Sequence, residues 1–444
     1  MNLERAKILE SADKNRFAIE PGAIVRIYLS VSVFIIAMAA FLGAAGALTG
    51  SKFFNTVHPY IFFAGFGNLA IIILNRYLIS AICPELEIDP ERQMRYIYGV
   101  LLSVFLIIAA IYMEWPVLKA FVGLFLMIIA GVAAREIFTT LPIKKMWREV
   151  SVRYYIFDVL FLLNANLGLF ALGLKETFPG FGIIPFFVTQ STYFLGSSFP
   201  LSISVMGFLY TYAWRRSSKK QLMKQLFSIW SYIFVGGVLV FLIAILMGDY
   251  LGMMLVSHAL MLGVVILLGG FAGYLYRFFH RHFKHPALAF LLSGLALLLA
   301  ASAYGIMNIY YFEQFGSVPP IPEDRMWIYH SHTHAALLGW ITFSFTGIIY
   351  IVVPAIVRSN SLELLRSEKA LSQLLDGKTI SKAFRQLTIA LVSATAVLLG
   401  FYLENNFMLA VAGMVFGIVI YYSRINLKGA SINCHEHLEH RSTK

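Results

Sequence analysis

The sequence predicts an all-α integral membrane protein of about twelve transmembrane helices, a single polytopic domain over 1–444, on three observations. First, 59% of the residues are hydrophobic and only 13% charged, more apolar than a water-soluble domain needs to cover its surface. Second, apolar runs of about 18 residues or more recur almost end to end. Each is long enough to cross a hydrocarbon core of about 30 Å as a helix with its backbone hydrogen bonds satisfied internally. Third, the positive charge is distributed by side of the membrane and not by domain.

The expected spans lie near 23–48, 57–81, 95–113, 116–138, 153–174, 183–212, 226–247, 250–275, 286–310, 331–356, 386–403 and 406–423. The segment 1–22 is polar and charged, and the span after it is too long for a signal peptide and lacks a cleavage pattern, so it is expected to stay attached. With an even number of spans, both 1–22 and the tail 424–444 fall on one side. If that side is cytoplasmic, the external loops hold only Lys52, Lys119, Lys175 and Arg325. The internal loops then hold nearly all the rest, including Arg76, Lys144, Lys145, Arg148, Arg215, Arg216, Lys219, Lys220 and Lys224. The net charge of +12 thus follows the positive-inside rule, and nucleic acid is not needed to explain it. The expected location is the inner (cytoplasmic) membrane, with lipid as the main partner. Cys83 and Cys434 both fall on the internal side, which argues against a disulfide framework.

Polar residues inside spans carry the functional information. His58 opens span two, His258 lies about two turns into span eight, and His332 and His334 open span ten. All four spans descend from outside to inside, so the four histidines gather in the outer half of the bilayer. Neutral imidazole is the commonest metal ligand and a usual axial ligand of heme iron. The plainer reading of each one alone is a helix-end histidine bonded to a carbonyl or water. In YHSHTHAALLGWITFSFTGIIYIVVP, His332 and His334 point about 200° apart on a helix, so they serve two cofactors on opposite faces more readily than one metal. His330 shares a face with His334 but is expected in the loop before the helix. Gly339 and Gly347 on this span, like Gly65, Gly67 and Asn68 in HPYIFFAGFGNLAIIILNRYLI, leave room for a flat macrocycle or a neighbouring helix.

At these two segments the chain resembles the catalytic subunit of heme-copper oxidases, closest to the C-family (cbb-type) cytochrome oxidases and their nitric oxide reductase relatives. That family's tenth helix carries His-x-His-x-x-x-x-Gly-Trp, matched here by His332, His334, Gly339 and Trp340. The resemblance implies that His334 and His58 are the two axial ligands of a low-spin heme b and that His332 holds a second heme. It covers the chain by topology and, by specific motif, spans two and ten.

The departures concern copper. The family takes one copper ligand from helix six and a His-His pair from helix seven, whose helix in the C-family also bears a cross-linked tyrosine. Here VTQSTYFLGSSFPLSISVMGFLYTYAW and FSIWSYIFVGGVLVFLIAILM contain no histidine, and Gly196–Ser197 falls where the first ligand is expected. Ser197 offers a weak oxygen ligand and His258 at most one imidazole, as a candidate distal ligand over the second heme, so copper is not expected. Asp158 and Glu136 lie near inner helix ends, where a solvated or Arg-paired carboxylate is the expected state, and no proton channel is visible. Cys434, His435, His437 and His440 in the tail form a weak metal candidate.

The function expected is a heme-b-binding subunit (one or two hemes) of a respiratory electron-transfer complex. The alternatives are an active terminal oxidase or nitric oxide reductase with an atypical metal site, and a transporter. Against the transporter, Pro200 is the one mid-span break, and the echo HALMLG at His258 and HAALLG at His334 runs in the same direction on both helices. With no Cys-x-x-Cys-His motif in the sequence, electrons must come from a separate c-type cytochrome subunit or a membrane quinol.

Overall fold

A computed structural model of the chain describes residues 20–180, 201–279, 285–311, 321–359, 362–366 and 374–442. Among the described residues every regular element is helical, and eleven helices are long and apolar enough to cross a membrane. In chain order these are α1 (Pro21–Thr49), α2 (Lys52–Ile82), α3 (Pro90–Tyr112), α4 (Pro116–Thr140), α5 (Val150–Thr177), α7 (Lys220–Met247), α8 (Tyr250–Phe279), α9 (Pro286–Tyr310), α10 (Glu323–Ser359), α11 (Gly377–Tyr402) and α12 (Asn406–Ser442), with the shorter α6 (Ser202–Arg216) between α5 and α7. Of the expected sixth span, 183–200 lies outside the described residues, and with it Gly196, Ser197 and Pro200. Most of the N-terminal segment, 1–19, does so too.

Local chemistry sets the helix starts. Pro21, Pro90, Pro116 and Pro286 occupy first-turn positions, where the missing N–H is no loss and φ is already helical. The Asp89 carboxylate accepts from the Glu91 and Arg92 amides at 3.1 and 3.3 Å, and Asp376 accepts from the Thr379 amide at 2.7 Å. Gly50 ends α1 with φ +66°, a left-handed cap that returns the chain into α2.

Two helix starts earlier than expected bear on the candidate histidines. Helix α2 begins at Lys52, so His58 sits in its second turn, and α10 begins at Glu323, so His332 and His334 lie well inside it. His330, expected in a loop, is helical within Met326–His334. Hydropathy senses only the apolar part of a span. The polar first turns of α2 and α10 are helical because buried neighbours hold them, not because they favour lipid. At the other terminus α12 continues as helix to Ser442, through the tail. The metal candidate at Cys434, His435, His437 and His440 rests on side chains outside the described ones.

The bundle closes around the two motif-bearing spans. In α2 and α10 the apolar windows are 78% and 89% buried, against 11% in α8, which therefore lies at the rim. Lipid supplies no hydrophobic drive between helices, so close packing does this work. Gly123 and Gly173 mark where α4 and α5 nearly touch. An added Cβ at Gly123 would strike the Phe170 backbone, and one at Gly173 would strike the Ala120 backbone. Gly339 and Gly347 admit a neighbouring helix: a Cβ at either would meet α9, at Leu297 and at the Ala287 carbonyl, both at 2.7 Å.

Buried polar networks stitch the far side. The Tyr350 hydroxyl donates to Gln386 Oε1 at 2.6 Å, the Asn426 amide donates to both, and Gln386 Nε2 donates to Ser423 Oγ at 2.7 Å. This ties α10, α11 and α12 with every partner satisfied. At the basic end, Arg76 pairs with Glu136, which also accepts from Arg92 at 2.7 Å and Tyr96 at 2.8 Å.

Cys83, just beyond α2, is fully buried. Burial pushes its thiol up, opposed by Lys145 and reinforced by Glu85 and Glu149. Because the thiolate is the reactive form, Cys83 in a Cys434→Ser protein is expected to alkylate at least about tenfold more slowly folded than denatured. Equal rates would contradict its burial.

Candidate functional site

The site is built where α2 and α10 face each other at the end of the bundle opposite the Arg76–Glu136 network. The His58 and His334 ring centroids are 6.3 Å apart, with planes tilted by 31°. Each ring is steered by the carbonyl one turn before it: His58 Nδ1 donates to the Phe54 carbonyl at 3.1 Å and His334 Nδ1 to the His330 carbonyl at 2.8 Å. A carbonyl only accepts, so Nδ1 carries the proton in both rings and the lone pair is on Nε2. This is the outer bond that orients a ligating histidine in metal sites.

The helices around the pair are wound unusually. One turn past His58, Phe62–Gly67 is π-helical, with a second π segment at Ala70–Leu74. Immediately past His334, Ala335–Ile341 is π-helical. A side chain reaches five residues back into each first π segment: Asn68 Nδ2 donates to the Phe63 carbonyl at 3.2 Å, and Thr342 Oγ1 to the Leu337 carbonyl at 2.8 Å. In α2, Pro59 contributes by removing an amide donor from the preceding turn. Single π turns inside α-helices cluster at functional sites because they displace one side chain from the α register. Among the described residues all three lie in the two spans that carry His58 and His334.

Around the pair, Phe401 of α11 contacts His334 at 4.6 Å and stacks on His330 at 5.3 Å and 22°. On the other side, a Cβ at Gly43 of α1 would come within 3.4 Å of the His58 ring. His332 points the other way, as its 200° offset requires. Its Nδ1 donates to the Ala301 carbonyl of α9 at 2.8 Å, and a Cβ at Gly305 would come 3.0 Å from its Cε1. His258 is exposed on the rim helix α8. It bonds the Met254 carbonyl at 2.7 Å and stands edge-on to Tyr310 at 6.3 Å. Its contacts are thus not with His332. The structure brings His58 and His334 together, sets His332 on the other face of α10 against α9, and gives His258 no part in either group.

The sequence reading of Glu136 as Arg-paired holds, while that of Asp158 is corrected. Asp158 is fully buried between α2, α5 and α6, and its partners are Ser204 and not an arginine. Its position nine residues into α5 reads as a helix end only if α5 is taken to start at 153. Trp340 was legible only as part of a motif, and its role is local: its indole N–H donates to Ser202 Oγ at 2.6 Å, pinning the start of α6 to the π segment of α10. Phe401 had no sequence signal at all.

Fold and site together define a multi-pass helical membrane protein with two imidazoles converging at one end of its most buried helices. The chain matches no family model and no curated protein.

Proposed function

We propose that the chain is a heme-b-binding subunit of a membrane electron-transfer complex, related in plan to subunit I of the heme-copper oxidases but without its copper ligands. The observation that carries this is the facing pair His58–His334, each with its lone pair on Nε2. A metal–imidazole bond of about 2.0–2.1 Å, with the ring centroid about 1.1 Å beyond its nitrogen, puts two axial imidazoles about 6.3 Å apart centre to centre. The observed separation is 6.3 Å. A bare ion fits less well, since among the described residues no three or more His, Cys, Asp or Glu converge on a common point. Two imidazoles leave most of a coordination sphere unfilled, and a macrocycle supplies four further ligands at once. The macrocycle would supply one-electron chemistry, while the chain fixes both ring tautomers and shields the pair with Phe401 and Gly43.

His332, on the opposite face of α10, is the ligand proposed for a second heme. His258, exposed beside Tyr310, has no contact that supports a distal role there. The test is spectroscopy on the purified chain with metal analysis. Expected are a six-coordinate b-heme signal, iron without stoichiometric copper, and oxygen reduction far slower than an oxidase. A second heme at His332 predicts two hemes per chain by pyridine hemochrome and carbon monoxide binding to the reduced protein, unchanged by His258→Ala. One copper per chain with rapid turnover of oxygen or nitric oxide would instead establish an active oxidase or reductase. The transporter reading draws on one observation, the start of α6 inside the core at Leu201, φ +71°; a chain purified without heme would favour it.

A further inference from the structure

Helix α6 begins against a carboxyl group of α5. The Ser204 amide donates to Asp158 Oδ2 at 3.1 Å, and the Ser204 hydroxyl donates to the same oxygen. Ser204 Oγ in turn accepts from Asn75 Nδ2 of α2 at 2.6 Å. All three residues are 0% exposed. Two oxygens in this cluster, Asp158 Oδ1 and Asn75 Oδ1, have no hydrogen-bond donor.

No charged side chain among the described residues pairs with Asp158. On α2, Arg76 is engaged by Glu136 and by the Glu87 carbonyl at 2.9 Å. On α4, Glu136 is held by Arg76, Arg92 and Tyr96. On α5 itself, Arg153 donates to Ser228 and Ser231 of α7 and to the Trp147 carbonyl. The Tyr154 hydroxyl donates to the Phe227 carbonyl at 2.6 Å. On α6 the facing groups are Ser204 and the Leu201 amide, both uncharged. An anion enclosed in this way lacks both water and a counter-charge.

Two ligands would cure the deficit, a cation or a proton, and the count of oxygens decides between them. A hard cation takes about six to eight oxygens, whereas this cluster has two uncommitted, the Ser204 hydroxyl being used as both donor and acceptor. One proton on Asp158 Oδ1 removes the charge and turns one of the two unmet acceptors into a donor. We infer that Asp158 is a proton-binding site, with Asn75 and Ser204 as its fixed partners.

A crevice lined by Leu78, Tyr155, Thr211, Tyr212, Arg215 and Leu365 opens beside α6 toward the basic end, and positions 204, 208, 211, 212 and 215 share one face of that helix. The Ser151 and Thr211 hydroxyls bond at 2.5 Å along it. Neither Asp158 nor Ser204 lines that crevice, and the assignment of the proton site depends neither on it nor on a heme at the histidine pair.

Infrared spectra of the full-length protein in detergent at neutral pH test this. The expected result is one protonated-carboxyl carbonyl band per chain, shifted down in heavy water and lost in Asp158→Asn. Should that variant not fold, Asn75→Leu removes the neighbouring oxygen and is expected to move the band. A carboxylate signal from Asp158 in its place, a band indifferent to Asn75→Leu, or a band that appears only when sodium is withheld would each overturn the assignment.

Discussion

Replacing His334 by alanine is expected to abolish the six-coordinate b-heme spectrum of the purified protein, and His58→Ala is expected to do the same. The two ring centroids lie 6.3 Å apart, each on a helix whose π segment begins about one turn on or sooner. Neither has a near substitute: His330 shares a face of α10 with His334, but its ring is stacked on Phe401. Loss of even an outer partner of a ligating histidine weakens binding by about 10–100-fold, so loss of the ligand itself is expected to exceed that. If the two act as one site, the double variant is no worse than either single one, since the first loss already removes the function. Phe401→Ala, which touches both His330 and His334, is expected to shift the spectrum while leaving heme bound. A spectrum unchanged in His334→Ala would refute the assignment of the pair.

The membrane class was legible because composition and run length are properties of the chain itself, and eleven of the expected spans coincide with helices. The pairing of His58 with His334 was legible only through the motifs they belong to, since 275 residues separate them and nothing local marks them as neighbours. What was not legible has a common cause. Helix starts with polar first turns, as at Lys52 and Glu323, are stabilised by the bundle and not by their own hydropathy. Asp158 was misread for the same reason. Placed nine residues into a helix that begins at Val150, it is too deep for water, and its partner Ser204 arrives from α6, 46 residues on. The π segments have no sequence signature beyond Pro59 and the small residues that follow it, because they depend on Asn68 and Thr342 returning to particular carbonyls.

Glu136→Ala is expected to lower the stability of the folded protein by about 3 kcal/mol, the lower end of what stranding one partner of a buried ion pair costs. Arg76, whose side chain is 5% exposed, keeps only the Glu87 carbonyl once the carboxylate is gone. The lower end applies because the other partners suffer less. Arg92 is nearly half exposed and has Asp89 at 3.5 Å, so it re-pairs or hydrates, and the Tyr96 hydroxyl loses one bond. Glu136→Gln keeps the shape and some of the hydrogen bonds while removing the charge, so it is expected to fall between wild type and alanine. The decisive comparison is Arg76→Leu with Glu136→Leu together. Removing both charges abolishes the stranded cation, so the double variant is expected to be more stable than Glu136→Ala alone, although it loses more hydrogen bonds. Thermal unfolding in one detergent, read by tryptophan fluorescence, measures all four proteins on a common scale. A double variant less stable than Glu136→Ala would mean that a stranded Arg76 cation is not what costs stability.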